Sequence, residues 1–304
     1  ITKADRTNSE QIESLIQEIK QNYSFLRGAN YFVTSAETGQ GINELRHYLA
    51  NLPELSDTQK PFRYAIDRVF NVKGAGTVVT GTAFSGTVKV NDELYLSTGQ
   101  KIRIKAIHAQ NTSSEQGIAG QRLALNLNAD LDRTSMKRGD WLLQNEPLPP
   151  TDRISVQILA EVPLNESQPV HIYHGASRTT GKLTLLQGKN AAKNDRTLAE
   201  IILDSPLFLA FGDKLILRSG DTKTLIAGAR VLEINSPKRH KRTEVRLNFL
   251  ANLALAENAS QRIALTLKHN ATTARQLMWT EQLTETQLDQ ALSERGAVRH
   301  PRAT

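Results

Sequence analysis

The chain has 304 residues, too many for one small core, so two or three domains are expected. It contains no cysteine, which excludes disulfides and thiolate metal sites, and no apolar run of ~18 residues that would predict a membrane span. Its net charge of +7, from 38 basic and 31 acidic residues, suits a polyanionic partner such as RNA but also occurs in mildly basic soluble proteins.

The absence of cysteine favours a reducing compartment, most simply the cytoplasm. The opening residues ITKADRTNSE contain no charged segment followed by an apolar one, so no secretory signal is predicted.

Residues 1–54 have the pattern of one piece of an α/β domain. Apolar residues at helical spacing predict an amphipathic helix over residues 9–20, preceded by a capping box from Thr7 to Glu10. YFVTSA, residues 31–36, predicts a short buried strand, and GINELRHYLANL, residues 41–52, predicts a second helix.

A polar linker, LPELSDTQKPF, precedes six short strands that predict a small closed barrel over residues 60–147. In the stretch KGAGTVVTG, Gly74 and Gly76 are expected to allow a tight turn, and Gly81 a close approach of two backbones. The predicted strands are FRYAIDRVF, GTVVTGTAF, ELYLST, KIRIKAIHA, RLALNLN and DWLLQN.

A second break at NEPLPPTDR introduces another run of strands, which predicts a second barrel over residues 151–236. Its predicted strands are RISVQILAEV, PVHIYHGA, KLTLL, LAEIILD, KLILRS and TLIAGARVLEI. Scattered cations on a barrel are usually solvated, so a surface position is expected for His171, His174, Arg178, Arg218 and Arg230.

Residues 240–304 are predicted to be helical, after a basic junction with the sequence PKRHKRTEVR. A second capping box runs from Thr284 to Gln287, within a segment that predicts a helix, a turn and a helix. The leucines expected to share one packed face are Leu247, Leu250 and Leu253.

Three motifs occur in a fixed order: TKAD at residues 2–5, TSA at residues 34–36, and KGAGTVVTGT at the start of a barrel. In these motifs and their order the chain resembles the elongation factor Tu family of translational GTPases. FRYAIDRVF, KGAGTVVTGTAFSG, IHAQN, AGQRLALNL and RGDWLL are most similar to the bacterial selenocysteine-specific branch of that family, SelB.

The resemblance implies a multidomain fold that begins with the C-terminal piece of an α/β G domain, residues 1–54. Two antiparallel β-barrels of the translation-factor type, 60–147 and 151–236, would follow. A helical linker and the helical start of an incomplete winged-helix domain would occupy residues 240–304.

In this family the first motif is usually Asn-Lys-x-Asp, whose carboxylate accepts two hydrogen bonds from guanine and so discriminates it from adenine. The resemblance implies GTP as cofactor, with Mg²⁺ in an intact factor. Thr2 stands where the family usually has Asn. The guanine-binding residues implied are Thr2, Lys3, Asp5, Ser35 and Ala36.

The sequence contains neither a G-x-x-x-x-G-K-[ST] phosphate loop nor a D-x-x-G motif. Without that cradle the chain is expected not to hydrolyse GTP alone. Because it also begins without Met, we expect a fragment that lacks the first part of the G domain and the later domains that bind mRNA.

Asp67, Arg68 and Arg122 match residues that form the selenocysteyl pocket in the selenocysteine-specific branch. A selenol is largely anionic at neutral pH, so two guanidinium groups would favour it over serine. Alternation predicts that Arg122 points away from the core. Asp67 and Arg68 would face opposite sides of a regular strand, so the strand ends or bulges there, or only one of them reaches the pocket. An ordinary surface ion pair is the alternative.

The resemblance further implies selenocysteyl-tRNA and the ribosome as partners, a monomer, no membrane association, and mRNA hairpin binding only through domains not present here. Phosphate contacts from the second barrel are also implied. Two interpretations of the basic run stay open: a solvated linker, or a clamp on the tRNA backbone. The run comprises Lys238, Arg239, Lys241 and Arg242.

Two other interpretations stay open at this point. One is another Tu-like translation factor, which Arg68 and the helical tail disfavour. The other is a stand-alone RNA-binding pair of barrels with no connection to GTP.

Overall fold

The computed structural model describes residues 1–23, 26–53, 57–73, 76–128 and 136–294. It comprises two compact units, Ile1–Leu55 and Ser56–Thr304. Gly74, for which a turn is predicted, lies outside the described residues.

The first unit contains a short 3₁₀ turn, Ala4–Arg6, and two helices, α1 (Ser9–Asn22) and α2 (Ile42–Ala50). Both helices are present as predicted, but the capping box from Thr7 to Glu10 is wrong. Asn8 caps α1 instead, because its side chain accepts a hydrogen bond of 2.9 Å from the Gln11 amide. Asn is a stronger N-cap than Thr, whose hydroxyl here bonds the Gln11 side chain.

The strand predicted at residues 31–36 is not formed in the described part of the chain. Thr34 bonds the segment Ile1–Ala4 through two backbone hydrogen bonds of 2.8 and 3.1 Å. The N-terminal ammonium adds a bond of 2.7 Å to the Phe32 carbonyl. These few bonds hold two loops together without the repeating ladder that defines a strand.

The second unit begins with a barrel of antiparallel strands, here called barrel one. Six of its strands form a closed ring in the order β1, β2, β8, β5, β4, β9, and β6 extends the sheet beyond β5. The three-residue strands β3, β6 and β7 were not predicted. The bounds are β1 (Arg63–Val72), β2 (Gly76–Ser85), β3 (Thr87–Lys89), β4 (Glu93–Leu96), β5 (Lys101–Ala109), β6 (Thr112–Ser114), β7 (Gln116–Ile118), β8 (Arg122–Asn128) and β9 (Trp141–Leu143).

Alternation of side chains builds the core of barrel one. On β8, Leu123, Leu125 and Leu127 point inward, and Arg122 is exposed as predicted. The predicted role of Gly81 is also confirmed, because a Cβ atom there would lie 2.0 Å from the Ala65 carbonyl oxygen.

The predicted second barrel, here called barrel two, is confirmed as a closed ring of β10, β15, β13, β12, β16 and β17. Within the same stretch of sequence, β11 and β14 form a separate two-stranded sheet. The bounds are β10 (Thr151–Ala160), β11 (Leu164–Asn165), β12 (Ser167–His174), β13 (Ser177–Leu185), β14 (Asn190–Ala191), β15 (Arg196–Leu207), β16 (Lys214–Arg218) and β17 (Leu225–Ile234).

Four helices follow: α3 (Glu244–Leu255), α4 (Ala259–His269), α5 (Ala274–Glu281) and α6 (Glu285–Ser293). The predicted face of α3 is confirmed, since Leu250 and Leu253 are buried against barrel two and Leu247 is half-buried. The capping box from Thr284 to Gln287 is confirmed at the start of α6. Helices within the described residues lack the combined length and hydrophobicity that a membrane span requires.

Helix α5 packs where the two barrels meet. Trp279 is buried with Ala65, Trp141 and Leu143 of barrel one, and its indole N–H donates a 3.0 Å hydrogen bond to the Leu209 carbonyl of barrel two. Both barrels and α5 therefore share one interface.

Candidate functional site

In the first unit, the structure brings together the two motifs that resemble a guanine site. Ser35 Oγ donates a 2.5 Å hydrogen bond to the Asp5 carboxylate and accepts one of 3.2 Å from the Thr38 amide. Lys3 lies in the left-handed region with φ of 59°, and Lys3 and Ala36 are exposed. This contact joins two loops that are about thirty residues apart in the sequence.

Ser35 is fully buried, but other predicted guanine-binding side chains remain accessible in this arrangement. Thr2 is exposed, and Asp5 is exposed apart from its contact with Ser35. A carboxylate has about four lone-pair positions, so Asp5 can accept further hydrogen bonds from a base.

In barrel one, a β-bulge lies at the first charged residue of the predicted pocket. Ile66 pairs with Gly81 and Arg68 pairs with Thr80, so Asp67 is left without a partner in the ladder. Of the alternatives left open by the sequence, the bulge is the one observed. It releases Asp67 from strict alternation and lets its side chain reach β8.

Asp67 and Arg122 form a bidentate ion pair. One guanidinium nitrogen of Arg122 lies 3.1 Å from Asp67 Oδ1 and the other contacts Oδ2, while the Thr80 hydroxyl donates a 2.8 Å hydrogen bond to Oδ1. Burial acts to raise the pKa of the Asp67 carboxyl, but the hydrogen bonds from Arg122 and Thr80 outweigh it and hold the pKa below its usual value. The carboxylate is therefore firmly ionised.

Arg68 lies beside this pair but remains in solvent. It is exposed and forms no ion pair with a described residue, although its charge helps to lower the pKa of Asp67. Two guanidinium groups and one carboxylate leave one net positive charge at this surface.

Two contacts of this cluster were not anticipated from the sequence. Thr80 orients Asp67, and Tyr64 lies buried nearby with its hydroxyl 2.9 Å from the Leu123 carbonyl. Burial and the negative charge of Asp67 raise the pKa of Tyr64, so the phenol stays neutral. The strand pattern could have placed Thr80 opposite β1, but only the bulge brings it to Asp67.

The basic run after barrel two divides into two halves. Lys241 pairs with buried Glu200, and Arg242 pairs with Glu166 at 2.7 Å. Lys238 and Arg239 are exposed and form no ion pair with a described residue. Only the first half of the run thus has free charges within the described chain.

The expected surface position of His174 is wrong. Its side chain is 2% exposed and stacks on Trp141, with its Nε2 atom 3.3 Å from Asp213 Oδ2. Arg63 donates two hydrogen bonds of 2.8 Å to the same carboxylate. His174 ends strand β12, so it projects past the barrel core into the contact with barrel one.

The other cations of barrel two differ in exposure. Arg178 and Arg218 are exposed, whereas His171 and Arg230 are half-buried. Across the described residues, acidic and histidine side chains do not form a group of three that could bind a metal ion.

Comparisons with known proteins match both barrels. Residues 76–143 match the family described as elongation factor Tu domain 2. Residues 151–238 match the beta-barrel domain of selenocysteine-specific elongation factors.

Among solved structures, the chain is similar to a bacterial selenocysteine-specific elongation factor, EF-Sec, with a TM-score of 0.73 and 24% identity over 93% of this chain and 47% of that one. At this identity the likeness shows the fold alone. A second similar structure is SelB from Methanococcus maripaludis in complex with the GTP analogue GPPNHP. Its TM-score is 0.66, with 25% identity over 78% of this chain and 59% of that chain.

Among curated relatives, the chain is 94% identical to the selenocysteine-specific elongation factor of Haemophilus influenzae over 99% of its length. It is 40% identical to the Escherichia coli protein of the same name over 98% of its length. In both cases it spans 48% of the relative, about half. The chain belongs to the family of selenocysteine-specific elongation factors.

Proposed function

We propose that this chain supplies the tRNA-binding barrels of a factor that delivers selenocysteyl-tRNA to the ribosome at UGA codons, with GTP bound. The observation that carries the proposal is Arg68, an exposed guanidinium beside the Asp67–Arg122 pair with no described carboxylate partner of its own. The names of the two curated relatives support the same function.

The three residues would have different roles toward the amino acid on the tRNA. Arg68 is free to contact an anionic selenium atom directly, while Arg122 is oriented by its bidentate contact with Asp67. Asp67 in turn is fixed by Thr80. Because the cluster keeps one net positive charge, it would attract a selenolate and offer no comparable advantage to a neutral serine hydroxyl.

The loops of the first unit would contact the guanine base of GTP. Asp5 would accept hydrogen bonds from the base, and the Ala36 amide would meet its carbonyl oxygen, with the Lys3 stem against the ring. The contact between Asp5 and Ser35 supports this assignment because it sets the position of the carboxylate. This sequence has no phosphate loop, so no residue of it is assigned to the phosphates or to Mg²⁺.

The decisive experiment compares two dissociation constants, for selenocysteyl-tRNA and for seryl-tRNA, in an intact factor with GTP that carries these residues. A charge-assisted contact contributes about 1.5–3 kcal/mol, so R68A and R122A should each weaken selenocysteyl-tRNA binding by roughly tenfold to a hundredfold. Seryl-tRNA binding should change much less.

The matched control is R103A, which removes an exposed arginine of the same barrel that pairs with Glu93. It should leave both dissociation constants as they are. If R68A and R122A weaken both tRNAs equally, the arginines contact the tRNA backbone and the proposed pocket is wrong.

A further inference from the structure

Arg230 lines a cavity that includes no residue of the Asp67 cluster. This cavity, of about 390 Å³, lies where the two barrels meet the segment between α3 and α4 and the end of α5. Water occupies ~30 Å³ per molecule, so the space could hold a hydrated polyatomic anion. The charged residues that the argument uses are Arg63, Arg230, Arg262, Glu257 and Glu281.

The guanidinium of Arg230 is held in place but only partly satisfied. One nitrogen donates a 2.7 Å hydrogen bond to the Ala254 carbonyl, and the guanidinium carbon lies 5.5 Å from the centre of the Phe211 ring. Its Nε atom is buried and has no hydrogen-bond partner among the described residues. A buried donor without an acceptor is costly, so the guanidinium is only partly stabilised in this position.

Arg262 lies against the same phenyl ring, with its guanidinium carbon 4.2 Å from the ring centre. Two positive groups therefore share one aromatic side chain at the wall of the cavity. Burial, followed by the charges of Arg262 and Arg196, lowers the pKa of Arg230. Glu281 offsets the charge of Arg262, whereas Arg230 has no paired carboxylate, so an anion beside Arg230 would relieve the remaining repulsion.

The carboxylates around the cavity are mostly committed to other cations. Asp213 pairs with Arg63, and Glu281 pairs with Arg262 at 2.8 Å. Lys60 pairs with Asp57 at 2.6 Å. Within the described residues, Arg230 is the lining cation that has no carboxylate partner, and exposed Glu257 is the lining acid that has no cation.

We propose that this cavity binds a phosphate group, with Arg230 as the principal ligand and Arg262 as the second. A guanidinium fork matches phosphate oxygens better than a lysine does, and partial burial strengthens each charged contact. The inference goes beyond the proposed function, because it concerns a site that shares no residue with the Asp67 cluster. The phosphate could belong to a free small molecule or to an RNA backbone.

The test measures binding of two probes to the whole chain by calorimetry at fixed ionic strength: inorganic phosphate and a short RNA oligonucleotide. R230Q should weaken binding of at least one probe by roughly tenfold or more, since it removes a charge-assisted contact. E257Q should have the opposite effect and strengthen binding by about two- to fivefold, because it removes a nearby negative charge.

Two further variants make the result interpretable. R230K keeps the charge but loses the fork, so it should fold and bind with intermediate affinity. R103Q is the matched control and should bind as the wild type does. Phosphate binding without RNA binding assigns the site to a free anion, whereas stronger RNA binding that depends on Arg230 assigns it to a backbone.

The proposal is overturned if neither probe binds saturably, or if E257Q and R230K both bind like the wild type. That decision does not require R230Q to fold. Failure here would leave the proposed function intact, because that function is tested by the ratio of two aminoacyl-tRNA affinities.

Discussion

Gly81 determines how closely strands β1 and β2 approach next to the charged bulge. A methyl group at this position would lie 2.0 Å from the Ala65 carbonyl oxygen, so the backbone of β1 would have to move. We expect G81A to destabilise the fold by about 1–3 kcal/mol, as overpacking of a close contact does. Chemical denaturation of the purified chain measures this change.

Gly228 on β17 is the matched control for that measurement. It also lies in a strand, but a Cβ atom there would meet no atom within 4 Å. G228A should therefore be neutral or stabilise by about 0.4–1 kcal/mol, because it restricts the unfolded chain. Equal effects of G81A and G228A would mean that close approach does not explain Gly81.

At the same scale, the sequence indicated which charged residues belong to the Asp67 cluster, but it left the direction of one of their side chains open. Alternation placed Arg122 outside the core correctly, because β8 is regular. The direction of Asp67 stayed open, since no pattern of side chains locates a bulge between Ile66 and Arg68. The prediction for His174 was wrong for a related reason. Residue spacing indicates which side chains face the core of their own barrel, but it does not indicate which outward side chains are buried by a second barrel.

Among the elements, regular strands and long helices were predicted well because they contain several periods of a pattern. Strands β3, β6 and β7 each have three residues, which is too short to show alternation. The opposite error occurred at residues 31–36, where apolar composition suggested a strand but the partners needed for a ladder are not present among the described residues.

The basic run before α3 can now be tested as two halves. Lys238 and Arg239 are exposed, whereas Lys241 and Arg242 are paired with glutamates. In an intact factor, K238A/R239A should weaken tRNA binding and reduce the slope of log K against log salt by roughly 0.7–0.9 for each phosphate that the protein no longer neutralises. Binding titrations at several salt concentrations measure that slope.

K241A/R242A is the matched comparison, since it removes the same charge from the same run. We expect it to leave the slope nearly unchanged and to lower the stability of the junction instead, because Glu166 would lose Arg242 and buried Glu200 would keep only Arg153. A slope that falls equally in both double variants would mean that the glutamates release their cations when tRNA binds. A slope unchanged in both would identify the run as a solvated linker.

At the scale of the whole Ser56–Thr304 unit, the two barrels are joined by a buried polar cluster as well as by apolar contacts. Asp213 of barrel two accepts two hydrogen bonds from Arg63 of barrel one, and the Arg63 guanidinium lies 4.9 Å from the centre of the Trp141 ring. Trp279 of α5 joins the same interface. Barrels and helices should therefore unfold together rather than one at a time.

D213N tests that coupling because it removes the charge and keeps the shape. Burial would raise the pKa of Asp213, but Arg63 and then His174 hold it far below the ~3.9 of an unfolded aspartate. Its stabilising effect is thus present above pH ~4 and is lost only as pH falls further, toward the folded-state pKa.

At neutral pH, D213N leaves Arg63 buried without a partner, so the free energy of unfolding should fall by about 3–5 kcal/mol. The difference from the wild type should shrink in strong acid, where the wild-type carboxylate also becomes protonated. Denaturation followed by tryptophan fluorescence reports the interface directly, because Trp141 and Trp279 both lie in it. E93Q, in an exposed ion pair of barrel one, is the control and should unfold like the wild type. If D213N matches E93Q at neutral pH, the apolar contacts alone hold the barrels together.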